Sequence, residues 1–181
     1  MAKLITEHQA LTFDCYGTLI DWESGIWDAG QPLIKASGRD DITRETFLRA
    51  FAITETAQER ETPALIYPEL LTKVHASMAR AFGQRSSSTL DQTFGASVPH
   101  WPAFPDSADA LRVLKKHFKL VILSNVNRDG FAASTRKLGV EFDAIYTAED
   151  VGSYKPNPRN FTFMMERLEA EHGIKSSGIL H

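Results

Sequence analysis

Cysteine is scarce in this sequence, and long apolar runs are absent. The 181 residues include one cysteine, Cys15, so an intrachain disulfide framework is excluded and a reducing compartment is expected. No apolar run approaches the roughly 20 residues that a membrane-spanning helix needs. The opening MAKLITEHQA carries Glu7 and His8, which makes it too polar for the apolar region of a signal peptide. We therefore expect a soluble, cytoplasmic protein without membrane contact.

An excess of charge of one sign is also missing. The formal net charge is -3 at pH 7, which gives a nucleic-acid partner no electrostatic support. The chain is long enough for one core, or for a core with a small accessory domain. We expect a small-molecule substrate as the partner, and a homodimer is compatible with the sequence.

Several common site motifs are missing as well. There is no Cys-x5-Arg loop, no Walker loop and no G-x-G-x-x-G, and the six histidines do not fall in H-E-x-x-H or comparable metal spacing. These absences exclude thiol phosphatases, P-loop proteins and dinucleotide-binding proteins. We expect Cys15 to be a buried strand residue and not a nucleophile.

What the sequence does contain is an alternation of strand and helix patterns. Three apolar runs predict strands: the segment 10–19 begins as one, and the others are 118–126 and 142–151. The second is β-branched and continuous, as is typical of a strand buried on both faces. Helical patterns occupy 107–118, 130–140 and 157–173, with Pro158 and Gly173 suited to the start and the end of the last. This alternation predicts an α/β fold with a doubly wound parallel sheet.

A different region interrupts this pattern. Residues 22–98 contain no strand pattern and are predicted to form amphipathic helices, with GQRSSSTLDQTFG at 83–95 as a polar connector. VPHWPAFPDS at 98–107 is rich in proline and is typical of a linker. We therefore predict a core of 1–20 and 99–181, interrupted by a helical domain at 21–98.

Polar residues follow each predicted strand. Asp14 ends the first, Ser124 and Asn125 end the second, and Lys155 follows the third. Ligands bind beyond the carboxyl ends of the strands in open parallel sheets. Each of these residues alone could be merely structural, but their placement at one edge of the sheet predicts a site.

These residue types suit nucleophilic catalysis. A carboxylate such as Asp14 can form a covalent intermediate, and the Lys155 ammonium can favour its ionised form. Gly17 allows a tight turn whose amides can face an anion. Thr18 is predicted to form a local hydrogen bond that orients Asp14.

Three segments, DCYGTL, LSN and YKPNP, resemble the first three motifs of the haloacid dehalogenase superfamily, in order. The helical insertion resembles the cap domain of that superfamily. The resemblance implies a Rossmann-like core with an inserted helical cap. It also implies that Asp14 is the nucleophile, that Thr18 is the threonine of the first motif, and that Ser124, Asn125 and Lys155 belong to the second and third motifs.

Within the superfamily, D-x-Y-G-T, SN and KPNPR resemble the 2-haloacid dehalogenases of type II. Phosphatases of the superfamily carry a second aspartate where this chain has Tyr16. The resemblance implies a hydrolase that removes halide from a short 2-halo acid through a covalent aspartyl intermediate, without cofactor or metal. It implies catalytic roles for Asp14, Thr18 and Lys155, and substrate binding by Tyr16, Ser124 and Asn125.

Three departures from that pattern keep alternatives open. Phe161 stands where those dehalogenases have a tyrosine, and Arg44 and Arg49 fall near the position of a cap arginine without a matching context. The fourth motif supplies acidic residues after a further strand, whereas SSGILH looks like the beginning of that strand and stops at His181. We therefore expect a core truncated at its C-terminal end.

Two other functions remain open on these grounds. One is a Mg²⁺-dependent phosphatase for a small phosphomonoester, with the Asp14 carboxylate and the Tyr16 backbone carbonyl as ligands. The other is a degenerate or truncated member that only binds a small anion.

Overall fold

The structure is a computed structural model and describes residues 4–181. Residues 1–3, which belong to the predicted core segment 1–20, lie outside the described residues. The chain divides into two compact units. One comprises the segment that ends at Ile20 together with Ala103–His181, and the other comprises Asp21–Pro102. Within residues 4–181, no helix has both the length and the apolar character needed to cross a membrane.

The first unit is built on four strands: β1 (Ala10–Phe13), β2 (Lys119–Ser124), β3 (Ala144–Thr147) and β4 (Ile179–Leu180). They form one parallel sheet with the order β3-β2-β1-β4. Leu11 of β1 is paired with Leu120 of β2 on one side and with Leu180 of β4 on the other. The predicted α/β fold with a parallel sheet is thus confirmed.

The second unit is helical. Its helices are α1 (Trp22–Ser37), α2 (Arg44–Glu61), α3 (Tyr67–Ala81) and α4 (Ser88–Gly95), followed by a 3-10 helix at Val98–His100. Its interior is aromatic: Phe47 stacks on Phe82 with ring centroids 6.0 Å apart, and Phe51 lies 5.6 Å from Trp22.

Helix α4 corrects the prediction of a polar connector at 83–95. The segment is polar in composition, but Phe94 is buried and Asp91 turns inward to His75, with Asp91 Oδ1 and His75 Nδ1 2.5 Å apart. Ser86 Oγ donates a hydrogen bond to the other oxygen of Asp91. Asp91 is the buried polar residue of this helix, and its partners lie on α3 and in the preceding loop, which composition does not reveal.

The boundary of the helical unit lies four residues beyond the predicted 98. Trp101 is buried, its Nε1 donates to Ser97 Oγ at 3.1 Å, and its ring lies edge-on to Tyr67 at 6.4 Å. The proline-rich segment up to Pro102 therefore packs within the helical unit and is not a free linker.

Trp101 also explains a glycine in α1. A Cβ built on Gly25 would overlap the Trp101 ring. We expect Gly25→Ala to lower the free energy of unfolding by about 1–3 kcal/mol, because overpacking in a filled core outweighs the better helix propensity of alanine. Urea unfolding measures this change. Asp28→Ala, at an exposed position of the same helix, is the control, and equal stabilities of the two variants would contradict the prediction.

Helices flank the sheet in the first unit. They are α5 (Ser107–Leu114), α6 (Arg128–Leu138), α7 (Ala148–Val151) and α8 (Pro158–His172), with short 3-10 helices at Ile5–Glu7 and Ser176–Gly178. As predicted, α8 begins at Pro158 and ends before Gly173, whose φ is 67°. Met164 and Leu168 of α8 pack in one core cluster with Val121 and Leu123 of β2.

Candidate active site

Asp14 directly follows β1, at the carboxyl edge of the sheet. The side chains of Leu11 and Thr12 in β1 are buried, whereas the Asp14 side chain is 39% exposed. The chain then turns tightly, with Gly17 at a φ of 101°. A positive φ of this size favours glycine because a Cβ would clash with the backbone. The buried strand and the turn together fix the position of a partly exposed carboxylate.

The amides of that turn bond within the turn itself. The N–H groups of Leu19 and Ile20 donate to the Cys15 carbonyl at 2.7 and 3.0 Å, Thr18 donates to the same oxygen at 3.3 Å, and Gly17 donates to the Ile20 carbonyl at 2.8 Å. The prediction that amides of the turn face an anion is therefore wrong for these four groups. The turn is a structural support for Asp14.

Lys155 holds Asp14. Its Nζ donates to Asp14 Oδ1 at 2.6 Å and to the Leu123 backbone carbonyl at 2.6 Å. The lysine side chain is only 15% exposed, whereas that of Asp14 is 39% exposed, so the ammonium is largely shielded from water and the carboxylate is not. Asp14 Oδ2 has no hydrogen-bond partner among residues 4–181 and is the carboxylate oxygen free to react.

Asn125 in turn positions Lys155. The Lys155 backbone N–H donates to Asn125 Oδ1 at 2.7 Å, and Asn125 Nδ2 donates to the Lys155 carbonyl at 3.3 Å. The peptide bond between Lys155 and Pro156 is cis. This two-point contact ties the loop after α7 to the end of β2. The role of Asn125 in substrate binding stays a prediction, while the structure shows that Asn125 positions Lys155.

Ser124 ends β2 beside these residues. It is buried, and its hydroxyl oxygen accepts a hydrogen bond from the Val126 backbone N–H at 3.2 Å. The hydroxyl proton is left for another acceptor. The structure thus brings Asp14, Ser124, Asn125 and Lys155 to one edge of the sheet, where the sequence predicted them.

The structure differs from one prediction for Thr18 and leaves the predicted role of Tyr16 untested. Thr18 is exposed on the turn, and within residues 4–181 its hydroxyl forms no hydrogen bond, so the predicted bond that would orient Asp14 is absent and Lys155 takes that role. The Tyr16 hydroxyl hydrogen bonds with Ser134 Oγ of α6 at 2.9 Å. Burial and the neighbouring Cys15 raise the pKa of this phenol, so it stays protonated at neutral pH. Catalysis by Thr18 and substrate binding by Tyr16 stay predictions.

Cys15 is fully buried, as predicted, but it lies beyond the end of β1 at Phe13 and is not a strand residue. Burial raises the pKa of its thiol, the charge of Asp14 raises it further, and Lys155 offsets part of the effect. Because the thiolate is the reactive form of cysteine, this thiol is inert at neutral pH. Of the two neighbours Asp14 and Cys15, Asp14 is therefore the nucleophile candidate.

Sequence reasoning missed His181. It follows β4, and its Nδ1 lies 2.8 Å from Thr12 Oγ1. The Phe161 ring meets the imidazole edge-on with centroids 5.5 Å apart, so the residue that departs from the dehalogenase pattern packs against this histidine. Partial burial and the charge of Lys155 lower the pKa of His181, against an opposing effect of Asp14. The available signal was a histidine at the end of a strand that pairs with β1.

The two arginines considered for a cap role are surface residues of α2. Arg44 donates to Ser24 Oγ at 3.1 Å and lies 3.9 Å from a Glu23 carboxylate oxygen, with about half of its side chain exposed. Arg49 is exposed. In the part of the chain that the structure describes, no group of three or more His, Cys, Asp and Glu side chains is arranged to hold a metal ion.

The sequence of this chain matches known proteins along most of its length. A family model described as haloacid dehalogenase-like hydrolase matches residues 8–176. The chain is 27% identical over 169 residues to (S)-2-haloacid dehalogenase 4A from Burkholderia cepacia. The aligned region covers 91% of this chain and 71% of that relative. The match with the family model confirms the resemblance drawn from the three motifs.

Solved structures agree on the fold. The L-2-haloacid dehalogenase PA0810 matches with a TM-score of 0.76 at 23% identity, over 95% of this chain and 74% of that one. The L-2-haloacid dehalogenase from Xanthobacter autotrophicus with chloropropionic acid covalently bound matches with a TM-score of 0.75 at 18% identity, over 95% and 68%. At these identities the likeness concerns the fold alone.

Proposed function

Because the chain belongs to the haloacid dehalogenase-like hydrolase family, we propose that it removes halide from a short 2-halo acid through an ester on Asp14. The observation that carries this proposal is the pairing of Asp14 Oδ1 with a shielded Lys155, which leaves Oδ2 free. The names of its curated relatives support the substrate class, with the S configuration at the halogenated carbon. The helical unit, Asp21–Pro102, is by the same proposal the cap domain of the family.

In the first half-reaction, Asp14 Oδ2 attacks the carbon that bears the halogen. A carbon–oxygen bond forms, the carbon–halogen bond breaks, and the halide leaves with the bonding electron pair. No proton is needed, because halide is a stable anion. The Lys155 ammonium keeps the carboxylate oriented along this path, and the Ser124 hydroxyl proton is available to the substrate carboxylate.

In the second half-reaction, water attacks the carbonyl carbon of the Asp14 ester. The 2-hydroxy acid leaves, and the Asp14 carboxylate is restored with one oxygen from water. Negative charge develops on the ester carbonyl oxygen during this attack. A cation that is already in place stabilises such charge without reorganisation, and Lys155 is that cation.

Halide release tests the proposal. We expect the protein to release chloride from (S)-2-chloropropionate in excess EDTA at the same rate as without chelator, since neither half-reaction calls for a metal. The opposite enantiomer serves as the control for stereochemistry. Phosphate release from small phosphomonoesters with Mg²⁺ is expected to stay at background.

Two outcomes would contradict the dehalogenase. Mg²⁺-dependent phosphate release without halide release would favour the phosphatase, in which phosphoryl oxygens need a cation to offset their charge. Silence in both assays from a folded chain would favour a degenerate member that binds a small anion.

A further inference from the structure

The register of the sheet brings His181 to the candidate active site. β4 pairs with β1 through Leu180 and Leu11, so the next residues on each strand, His181 and Thr12, lie side by side. Asp14 is two residues beyond Thr12, and a two-residue step along an extended chain returns to the same face of the sheet, roughly 6–7 Å further on. The charges of Asp14 and Lys155 both act on the imidazole, which supports this placement.

Thr12 contacts one ring nitrogen of His181. Thr12 Oγ1 lies 2.8 Å from His181 Nδ1 and 3.4 Å from the Leu180 backbone carbonyl, an oxygen that can only accept. A threonine hydroxyl has one proton. If Thr12 donates that proton to the carbonyl, Nδ1 donates to Oγ1 and Nε2 carries the lone pair, and this is the tautomer that a general base at Nε2 requires.

The surroundings keep this imidazole neutral and oriented. Burial and the Lys155 ammonium lower its pKa below the ordinary value, so the neutral form predominates at pH 7. The edge-on contact with Phe161 fixes the plane of the ring. Among residues 4–181, no protein group is hydrogen bonded to Nε2. A neutral, oriented imidazole with a free Nε2 is suited to accept a proton from water.

We propose that His181 is the general base for hydrolysis of the Asp14 ester. The inference rests on the proposed function. Nε2 removes a proton from the attacking water as its oxygen bonds to the Asp14 carbonyl carbon. The tetrahedral intermediate then expels the substrate oxygen, which takes that proton back from the imidazolium and leaves as the 2-hydroxy acid. Asp14 is left as a carboxylic acid and loses its proton to solvent, so each turnover yields one hydroxy acid, one halide and one proton.

A His181→Gln variant separates the two half-reactions. After rapid mixing with (S)-2-chloropropionate, we expect a burst of about one halide per protein, followed by turnover slowed roughly 10²–10⁴-fold, the usual contribution of a general base. Intact mass should show protein that has gained the substrate acid and lost hydrogen halide. His117→Gln, at an exposed histidine, is the matched control and should neither accumulate this adduct nor slow down.

A second variant and a second readout separate a base from a merely structural residue. Thr12→Val removes the acceptor of the Nδ1 proton and is expected to accumulate the same ester. In the wild-type protein, the rate of ester hydrolysis should fall as the pH drops below the pKa of the imidazole, because the base becomes protonated. His181→Gln should lose that dependence while the halide burst remains.

Several results would overturn the assignment. One is a His181→Gln variant that turns over at the wild-type rate and accumulates no Asp14 ester. Another is a folded His181→Gln variant that gives no halide burst, since this result would place His181 in the first half-reaction. Nitrogen-15 shifts of His181 that place the proton on Nε2 would contradict the tautomer without any turnover measurement. Absence of halide from the wild-type protein would count against the proposed function itself.

Discussion

An Asp14→Asn variant is expected to release halide from (S)-2-chloropropionate at a rate lower by on the order of 10⁴–10⁶-fold, the loss typical of removing a covalent nucleophile. The carboxamide has nearly the shape of the carboxylate but carries no anionic oxygen, so the carbon–oxygen bond of the first half-reaction cannot form. Lys155 loses its charge partner in this variant but keeps the Leu123 carbonyl. The fold should therefore survive.

The measurement pairs halide release with intact mass after incubation with substrate. No adduct should appear on Asp14→Asn, and the mass also verifies that the sample contains no deamidated protein. Asp106→Asn is the control, because Asp106 is exposed and its side chain caps no helix N–H. Undiminished halide release from a pure Asp14→Asn sample would eliminate the covalent mechanism.

The sequence predicted the part of the site that follows from strand topology. The continuous run from Leu120 to Leu123 indicates a strand buried on both faces, and such strands occur in parallel sheets. Parallel strands carry their carboxyl ends to one edge, so polar residues after separate strands converge there. This geometric rule alone predicts that Asp14, Ser124, Asn125 and Lys155 lie together.

The parts that the sequence did not predict depend on tertiary contacts. That Asn125 binds the Lys155 backbone follows from the path of a loop 30 residues away, which no local pattern encodes. The nearness of His181 to the site depends on which strand lies beside β1. The same limit explains α4, whose buried Asp91 needs His75 of a different helix.

The second large effect concerns Lys155. We expect Lys155→Ala to lower kcat for halide release by roughly 10²–10³-fold, the cost of removing one preorganised group that stabilises developing charge. The ammonium binds Asp14 Oδ1 before the attack, and in the ester this atom is the carbonyl oxygen on which charge develops during hydrolysis. Both half-reactions should therefore slow. Lys155→Arg should restore little, because a planar fork does not replace a compact ammonium shared between a carboxylate and a carbonyl.

The control for this variant has to be chosen from the structure. Lys115 is unsuitable, although the sequence predicts that it faces solvent, because its Nζ lies 2.6 Å from Asp143 Oδ2. Lys116 is exposed, and Lys116→Ala should leave kcat unchanged. The halide burst then distinguishes the two basic residues: Lys155→Ala should show a slowed burst, whereas His181→Gln keeps it. Equal rates for Lys155→Ala and Lys116→Ala would remove Lys155 from the mechanism, and a normal burst in Lys155→Ala would restrict it to ester hydrolysis.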